Sequence, residues 1–214
     1  MSINPEKDAI RVEARKREIM DAAFSVFTER SIDKVTMNDV AAAAGIGVAT
    51  VYRHFSTKPA LVLAVAAKAW GDYAEANYQQ LPGTDSRSAA QVYEFFLDSF
   101  IDLYRNHQDL LRFNQMFNIY VRAEGITGDQ LKPYNDMIGT LAERFHHMYL
   151  LAEKNGTLRT DVPEQEMFSA TLHLMLAAST RYAVGLVYDA GIDPERELEL
   201  LKRMLIREFV TLPA

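Results

Sequence analysis

The 214-residue sequence predicts an all-α protein: a three-helix N-terminal headpiece containing a helix-turn-helix, then a C-terminal helical bundle of about six helices. Three observations predict it. Apolar residues recur at the helical period in nearly every segment, no alternating strand of useful length occurs, and glycines, prolines and capping residues separate the periodic stretches. Hydrophobic residues make up 49% and charged residues 24%, the balance of an ordinary globular chain rather than a disordered or fibrous one. Cysteine is absent, which excludes disulfides and thiolate metal sites.

Residues 15–29 place Ile19, Ala22, Ala23, Val26 and Phe27 on one apolar stripe. Residues 36–44 repeat the pattern with Met37, Val40, Ala41 and Ala44, and residues 48–55 with Val48, Val51, Tyr52 and Phe55. Thr36 stands where it accepts from the Asp39 amide, with Asp39 in the capping-box position. Gly45 suits the left-handed position after a helix, Ile46 supplies the apolar contact that accompanies such a stop, and Gly47 caps the third helix. Helix, tight glycine turn, helix is the helix-turn-helix pattern. Ser56 and Thr57 then cap a long helix to about residue 80, broken by Pro82-Gly83. Further helices are expected at about 85–106, 108–123, 129–154, 163–188 and 194–211, the last opened by Asp193-Pro194 as N-cap and first-turn proline. The domains expected are 1–56 and 57–214.

Residues 36–61 read TMNDVAAAAGIGVATVYRHFSTKPAL. In register and spacing, Thr36, Val40-Ala41, Gly45-Ile46, the run Val51-Tyr52-Arg53-His54-Phe55, Lys58 and Leu61 resemble the TetR family of transcriptional regulators. The resemblance is specific over residues 12–62, about a quarter of the chain. Beyond that, only helix number, order and length are similar. Gly47 stands where the family often has Ser, and Ala49 where it often has Gly. The first change removes a cap oxygen and a phosphate contact; the second keeps a side chain small enough for close approach to DNA.

The resemblance implies that residues 1–56 bind DNA and residues 57–214 bind a ligand and dimerise. A short recognition helix needs one face for the headpiece core and another for the major groove. Val51 and Phe55, four apart, take the core face, leaving Ala49, Thr50, Arg53 and His54 outside. Arg53 has the fork that matches guanine O6 and N7, and Ala49 suits a thymine methyl group. Thr50, Tyr52 and His54 suit phosphate oxygens, as do Lys58 and the amides that Thr36 brings to the start of its helix. Plainer readings stand beside these. Tyr52 could be a core aromatic, His54 a packing or capping residue, Arg53 a solvated charge, and Val48 either core or base contact.

Net charge is −6, yet residues 1–60 hold nine Lys/Arg and eight Asp/Glu, leaving −7 for the remainder. Lys7, Arg11, Arg15, Lys16 and Arg17 crowd the first 17 positions. An acidic body repels DNA except where the headpiece touches it.

In the C-terminal part, aromatic and methionine residues recur at helical spacing. Most of these make a helix core; a subset is expected to line a pocket for a small hydrophobic effector, with Phe96, Phe100, Phe113, Met116, Phe117, Tyr120, Met148 and His173 as candidates. The family pairs its last two helices with their copies in a dimer, which makes Ala177, Leu198, Leu201 and Leu205 the expected interface. The implied function is a repressor released from a palindromic operator by its effector.

Competing readings are thin. Glu143 and His146 form one Glu-x-x-His step where di-iron bundles need two, and the adjacent His146 and His147 point about 100° apart on a helix. Residues 45–50 approach a dinucleotide fingerprint but follow a helix rather than a strand. No Gly-x-Ser-x-Gly, P-loop or His-Glu-x-x-His sequence occurs, so neither enzyme activity, nor a cofactor, nor a metal is expected. The alternative is a helical protein-interaction module with a non-functional headpiece. Residues 1–7 lack the apolar stretch of a secretory signal, and the longest clean apolar run, residues 60–67, is too short to span a bilayer. A cytoplasmic protein without membrane contact is therefore expected.

Overall fold

The computed structural model describes residues 5–80, 87–186 and 191–211. Among them are α1 (Pro5–Arg30), α2 (Met37–Ala43), α3 (Val48–His54), α4 (Lys58–Gln79), α5 (Ala89–Asn106), α6 (Gln108–Ala123), α7 (Lys132–Asn155), α8 (Glu164–Val184) and α9 (Pro194–Phe209), with a 3-10 turn at Gly128–Leu131. No strand forms among the described residues beyond one antiparallel bridge, Leu158 to Val210. The all-α expectation is met, with three headpiece helices and six after them. The expected break at Pro82-Gly83 lies outside the described residues. Several helix ends differ from expectation. α5 starts at Ala89 rather than 85, with Ser88 as its cap, and α7 starts at Lys132 rather than 129, after the 3-10 turn. α1 starts ten residues before the periodic segment 15–29 does, because a solvated helix needs no apolar pattern. α8 stops at Val184 rather than 188: Gly185 takes φ +103, and its amide closes the helix on the Arg181 carbonyl at 3.2 Å.

The chain forms two compact units. The first comprises Met1–Gly71 and Phe113–Asn135, the second Asp72–Arg112 and Asp136–Ala214. The division does not fall at the expected 56/57 boundary. α4 gives its first part to the first unit, and α6 most of its length.

In the first unit, α1 buries Ile19, Ala23 and Phe27 completely, and α4 buries Leu61, Val62, Val65 and Ala66. Phe113 and Phe117 of α6 complete this core. The Phe113 ring centroid lies 5.2 Å from Phe24 and 6.5 Å from Phe27, and Phe117 lies 4.8 Å from Tyr134. Such aromatic pairs add about 0.5–1.5 kcal/mol each beyond the area they bury. The helices are also tied at the surface, α1 to α2 by Arg30–Asp39 at 2.7 Å and α4 to α1 by Lys68–Asp21 at 2.6 Å.

The second unit packs α5, α7, α8 and α9 around Tyr93, Leu97, Phe145, Met148, Met175, Leu198 and Phe209. Its buried Thr171, Ser179 and Lys202 are paired across helices. Tyr93 and Thr171 hydroxyls meet at 2.7 Å, and Ser179 donates to the Phe100 carbonyl at 3.1 Å. The buried Lys202 ammonium sits between Asp98 at 2.5 Å and Glu94 at 3.0 Å. Past α7, the Arg159 amide donates to the Phe209 carbonyl at 2.8 Å, and the Thr211 amide to the Thr157 carbonyl at 3.1 Å. These two bonds flank the Leu158–Val210 bridge and fasten the end of α9.

α2 ends at Gly45 with φ +65, where the Ile46 amide reaches the Ala41 carbonyl at 3.0 Å and the Gly45 amide reaches Ala42 at 3.2 Å. This is the double bond of a Schellman stop, and it fixes where α3 begins. A Cβ at Gly45 meets nothing within 4 Å, so its cost is purely conformational. Gly45→Ala is expected to lower unfolding stability by about 1–2 kcal/mol, read as a reduced urea midpoint at unchanged slope.

Candidate nucleic-acid interface

The interface begins with the cap of α2. The Thr36 hydroxyl accepts from the Asp39 amide at 3.2 Å, and the Asp39 carboxylate accepts from the Thr36 amide at 2.8 Å and its hydroxyl at 2.5 Å. These bonds, with Arg30 beside them, hold the Asp39 carboxyl well below the usual carboxylate range. Thr36 thus spends its own polar atoms on the cap.

α3 divides as its pattern expects. Val51 is wholly buried and Phe55 nearly so. Ala49 and Arg53 are exposed, while Val48, Thr50 and His54 are half-buried. Tyr52 is 50% exposed, which rules out a core aromatic. Among the described residues no carboxylate pairs with Arg53, so its guanidinium keeps all its donors. Gly47 caps α3 through its carbonyl alone, bonded to the Thr50 amide at 2.8 Å, with no side-chain cap.

His54 closes the helix. Burial pushes its pKa below the usual 6.5, and the nearby charges of Arg53, Lys16 and Arg15 push the same way. Arg15 and Lys16 therefore lie within electrostatic reach of the end of α3, although they are far from it in sequence. The only hint of them was the run of basic residues near the N-terminus. Each also pairs along α1, Arg15 with Glu18 at 2.6 Å and Lys16 with Glu13 at 3.9 Å.

Lys58 is placed differently from expectation. Its Nζ donates to the Asp33 carbonyl at 3.2 Å and lies 5.4 Å from the Tyr120 ring centroid. Burial pulls its pKa below the ordinary lysine value, against the opposing pull of Asp33, Glu124 and Asp39.

The eight candidate effector residues fall in both units. Phe113, Met116, Phe117 and Tyr120 belong to the first, where Phe113, Phe117 and Tyr120 are buried core. Phe96, Phe100, Met148 and His173 belong to the second. There Met148 is buried in the core, with Phe96 and Phe100 partly buried against it. His173 is exposed and bonds Ser169 at 3.2 Å beside a shallow groove of about 520 Å³ along α8, also lined by Pro163, Gln165, Glu166 and Ala170. The expected pairing residues need correction. Leu198 and Leu205 are buried in their own chain and Leu201 packs against the same core, because the apolar face of α9 turns inward. Ala177 is exposed. The apolar side chains left outside on α8 and α9 are Leu174, Val184, Leu200 and Met204.

Residues 19–65 match the model of the bacterial regulatory proteins of the tetR family. The HTH-type transcriptional repressor KstR2 of Mycobacterium tuberculosis is 24% identical over 106 residues, 50% of this chain and 52% of that one. The chain thus spans about half the length of that curated relative. A putative transcriptional regulator from Saccharomonospora viridis in complex with choline superposes with a TM-score of 0.72 at 19% identity, over 94% of this chain and 99% of that one. The regulator FadR from Bacillus subtilis in complex with stearoyl-CoA superposes with a TM-score of 0.70 at 14% identity, over 89% and 97%.

Because His54 has a lower pKa folded than the unfolded value near 6.5, protonation favours the unfolded chain. Its contribution to stability is complete above pH 6.5 and is lost as pH falls from there through the lower folded-state pKa. The urea midpoint is expected to fall between pH 7.5 and pH 5.5, and His54→Gln to lessen that fall.

The motif, the helices around it and the matched relatives agree: residues 19–65 carry a likeness to the tetR family of bacterial regulatory proteins, and the similar solved structures share the fold.

Proposed function

We propose that this chain is a ligand-responsive DNA-binding transcriptional regulator: a cytoplasmic, homodimeric repressor that leaves a palindromic operator when a small hydrophobic effector binds. The observation that carries this reading is the division of α3, with Val51 and Phe55 turned inward while Ala49, Tyr52 and an unpaired Arg53 face out.

In this reading α3 lies in the major groove. Arg53 reads a guanine edge, Ala49 contacts a thymine methyl, and Val48, only half-buried, touches the groove from the helix start. Thr50, Tyr52, His54 and Lys58 hold phosphates, and Thr36 sets the α2 amides against the backbone. A phosphate beside His54 favours its protonated form, opposing the surrounding cations.

One headpiece makes few contacts; two, spaced about 34–36 Å apart, engage both halves of a palindrome. The second copy is proposed to pair with the exposed face of α8 and α9, where Leu174, Ala177, Leu200 and Met204 stand in solvent. An effector shifts DNA affinity only by its difference in affinity between two conformations. Since α4, α6 and α7 each give residues to both units, covalent helices carry such a shift. Phe96 and Phe100, partly buried in the second unit, are the proposed contacts for an apolar effector. The similar folds bind unlike molecules, stearoyl-CoA in one and choline in another.

Gel shift against DNA flanking the chain's own gene tests the reading. Arg53→Ala is expected to weaken specific binding by about 1–3 kcal/mol and to relax preference at one base pair per half-site. Stearoyl-CoA, used as the probe, is expected to weaken operator binding, and equal affinity with and without it rejects an acyl effector. A wild-type protein that shifts no DNA favours the helical interaction module instead.

A further inference from the structure

Lys58 opens α4, where a DNA contact needs its charge facing outward. Its ammonium is instead held within the first unit, on the Asp33 carbonyl at 3.2 Å and over the Tyr120 ring at 5.4 Å. Asp33 is exposed, whereas the ring partner is fixed in the core. Tyr120 is 6% exposed and lies on α6 three residues beyond Phe117, whose ring is packed between Phe113 and Tyr134. The Asp33 carboxylate, which could have taken the ammonium directly, accepts from the Ser31 hydroxyl at 2.5 Å. The carboxylates of Asp33, Glu124 and Asp39 add their attraction to this arrangement. A phosphate and an aromatic face compete for the same charge, since each attracts it only at close range.

We propose that Tyr120 gates Lys58: its ring holds the ammonium in the DNA-free protein, and a phosphate must draw Lys58 off the ring, so the placement of α6 sets how much this lysine adds to DNA affinity. The proposal rests on the DNA-binding reading above and deepens it. Tyr120 touches no DNA in this scheme; it is a positioning residue that acts through Lys58. The lowered pKa of Lys58 fits an ammonium partly withdrawn from water. α6 suits the task because its first five residues belong to the second unit, where Arg112 Nη1 donates to the Ala183 carbonyl at 3.3 Å. Tyr120 lies eight positions, about 12 Å of helix, beyond Arg112, so a turn or slide of α6 at one end moves the ring at the other.

The experiment is a double-mutant cycle on operator affinity, with Tyr120→Leu and Tyr120→Phe each made in the wild-type and Lys58→Met backgrounds. Tyr120→Leu is expected to tighten binding about two- to five-fold when Lys58 is present, and to change nothing when residue 58 is Met. Tyr120→Phe keeps the ring and is expected to match the wild type. Lys58→Met alone is expected to reduce the slope of log affinity against log salt by about 0.9, one phosphate. A second measurement needs no core substitution. In the free protein the Lys58 ε-methylene proton resonance is expected upfield, under the ring current of Tyr120, and operator DNA is expected to return it to its ordinary position. The gate is overturned if Tyr120→Leu acts equally in both backgrounds, or if the upfield shift persists on DNA. If the wild type binds no operator, the DNA-binding reading itself falls and the gate falls with it, an outcome distinct from either of those.

Discussion

A helix of seven residues does not hold together in water, because nucleating its first turn costs more than so few hydrogen bonds return. α3 exists as a helix only because Val51 enters the core of the first unit and Phe55 closes it behind. Burying two such side chains contributes about 1.5–3 kcal/mol each, enough to order the segment between them. Everything exposed on α3 inherits its direction from those two anchors. The Schellman stop at Gly45 fixes the angle from α2, and the Thr36–Asp39 cap fixes where α2 begins. The exposed side chains of α3 are therefore positioned by groups on the other side of the helix and in α2.

The partition into two units changes how the later helices are understood. The aromatic residues of α6 were expected among the effector contacts, yet Phe113 and Phe117 complete the core beneath the headpiece. The same helix brings Tyr120 to Lys58. α6 is thus structural for one unit at most of its length and belongs to the other at its first turn.

Much of the headpiece was legible in the sequence because its signals are local. A capping box spans four residues, a glycine stop six, and an i, i+4 pair of core anchors five, so Thr36, Gly45, Val51 and Phe55 announce their roles without knowledge of the fold. What was not legible depends on partners distant in the chain. An amphipathic stripe such as Leu198, Leu201 and Leu205 reads the same whether it faces its own core or a second copy, and only the packing of α5 and α8 around it decides for the former. Lys58 looks like any lysine at a helix start until α6 supplies a ring. Arg15 and Lys16 look like solvated charge until α3 ends within electrostatic reach of them. Gly185 was passed over as a helix end because a glycine inside an apolar stretch is ambiguous until its φ is known.

The fastening around Leu158 and Val210 has a bearing on assembly. Two backbone bonds, with Arg159 reaching both Asp161 and Glu208, clamp the last turn of α9 to the segment after α7. Helix ends ordinarily fray, and a frayed surface must be ordered before another molecule can dock on it. Here the bonds that hold the end of α9 are made within the single chain. Association through a surface held in this way loses less conformational entropy, and the affinity of a small contact area rises accordingly.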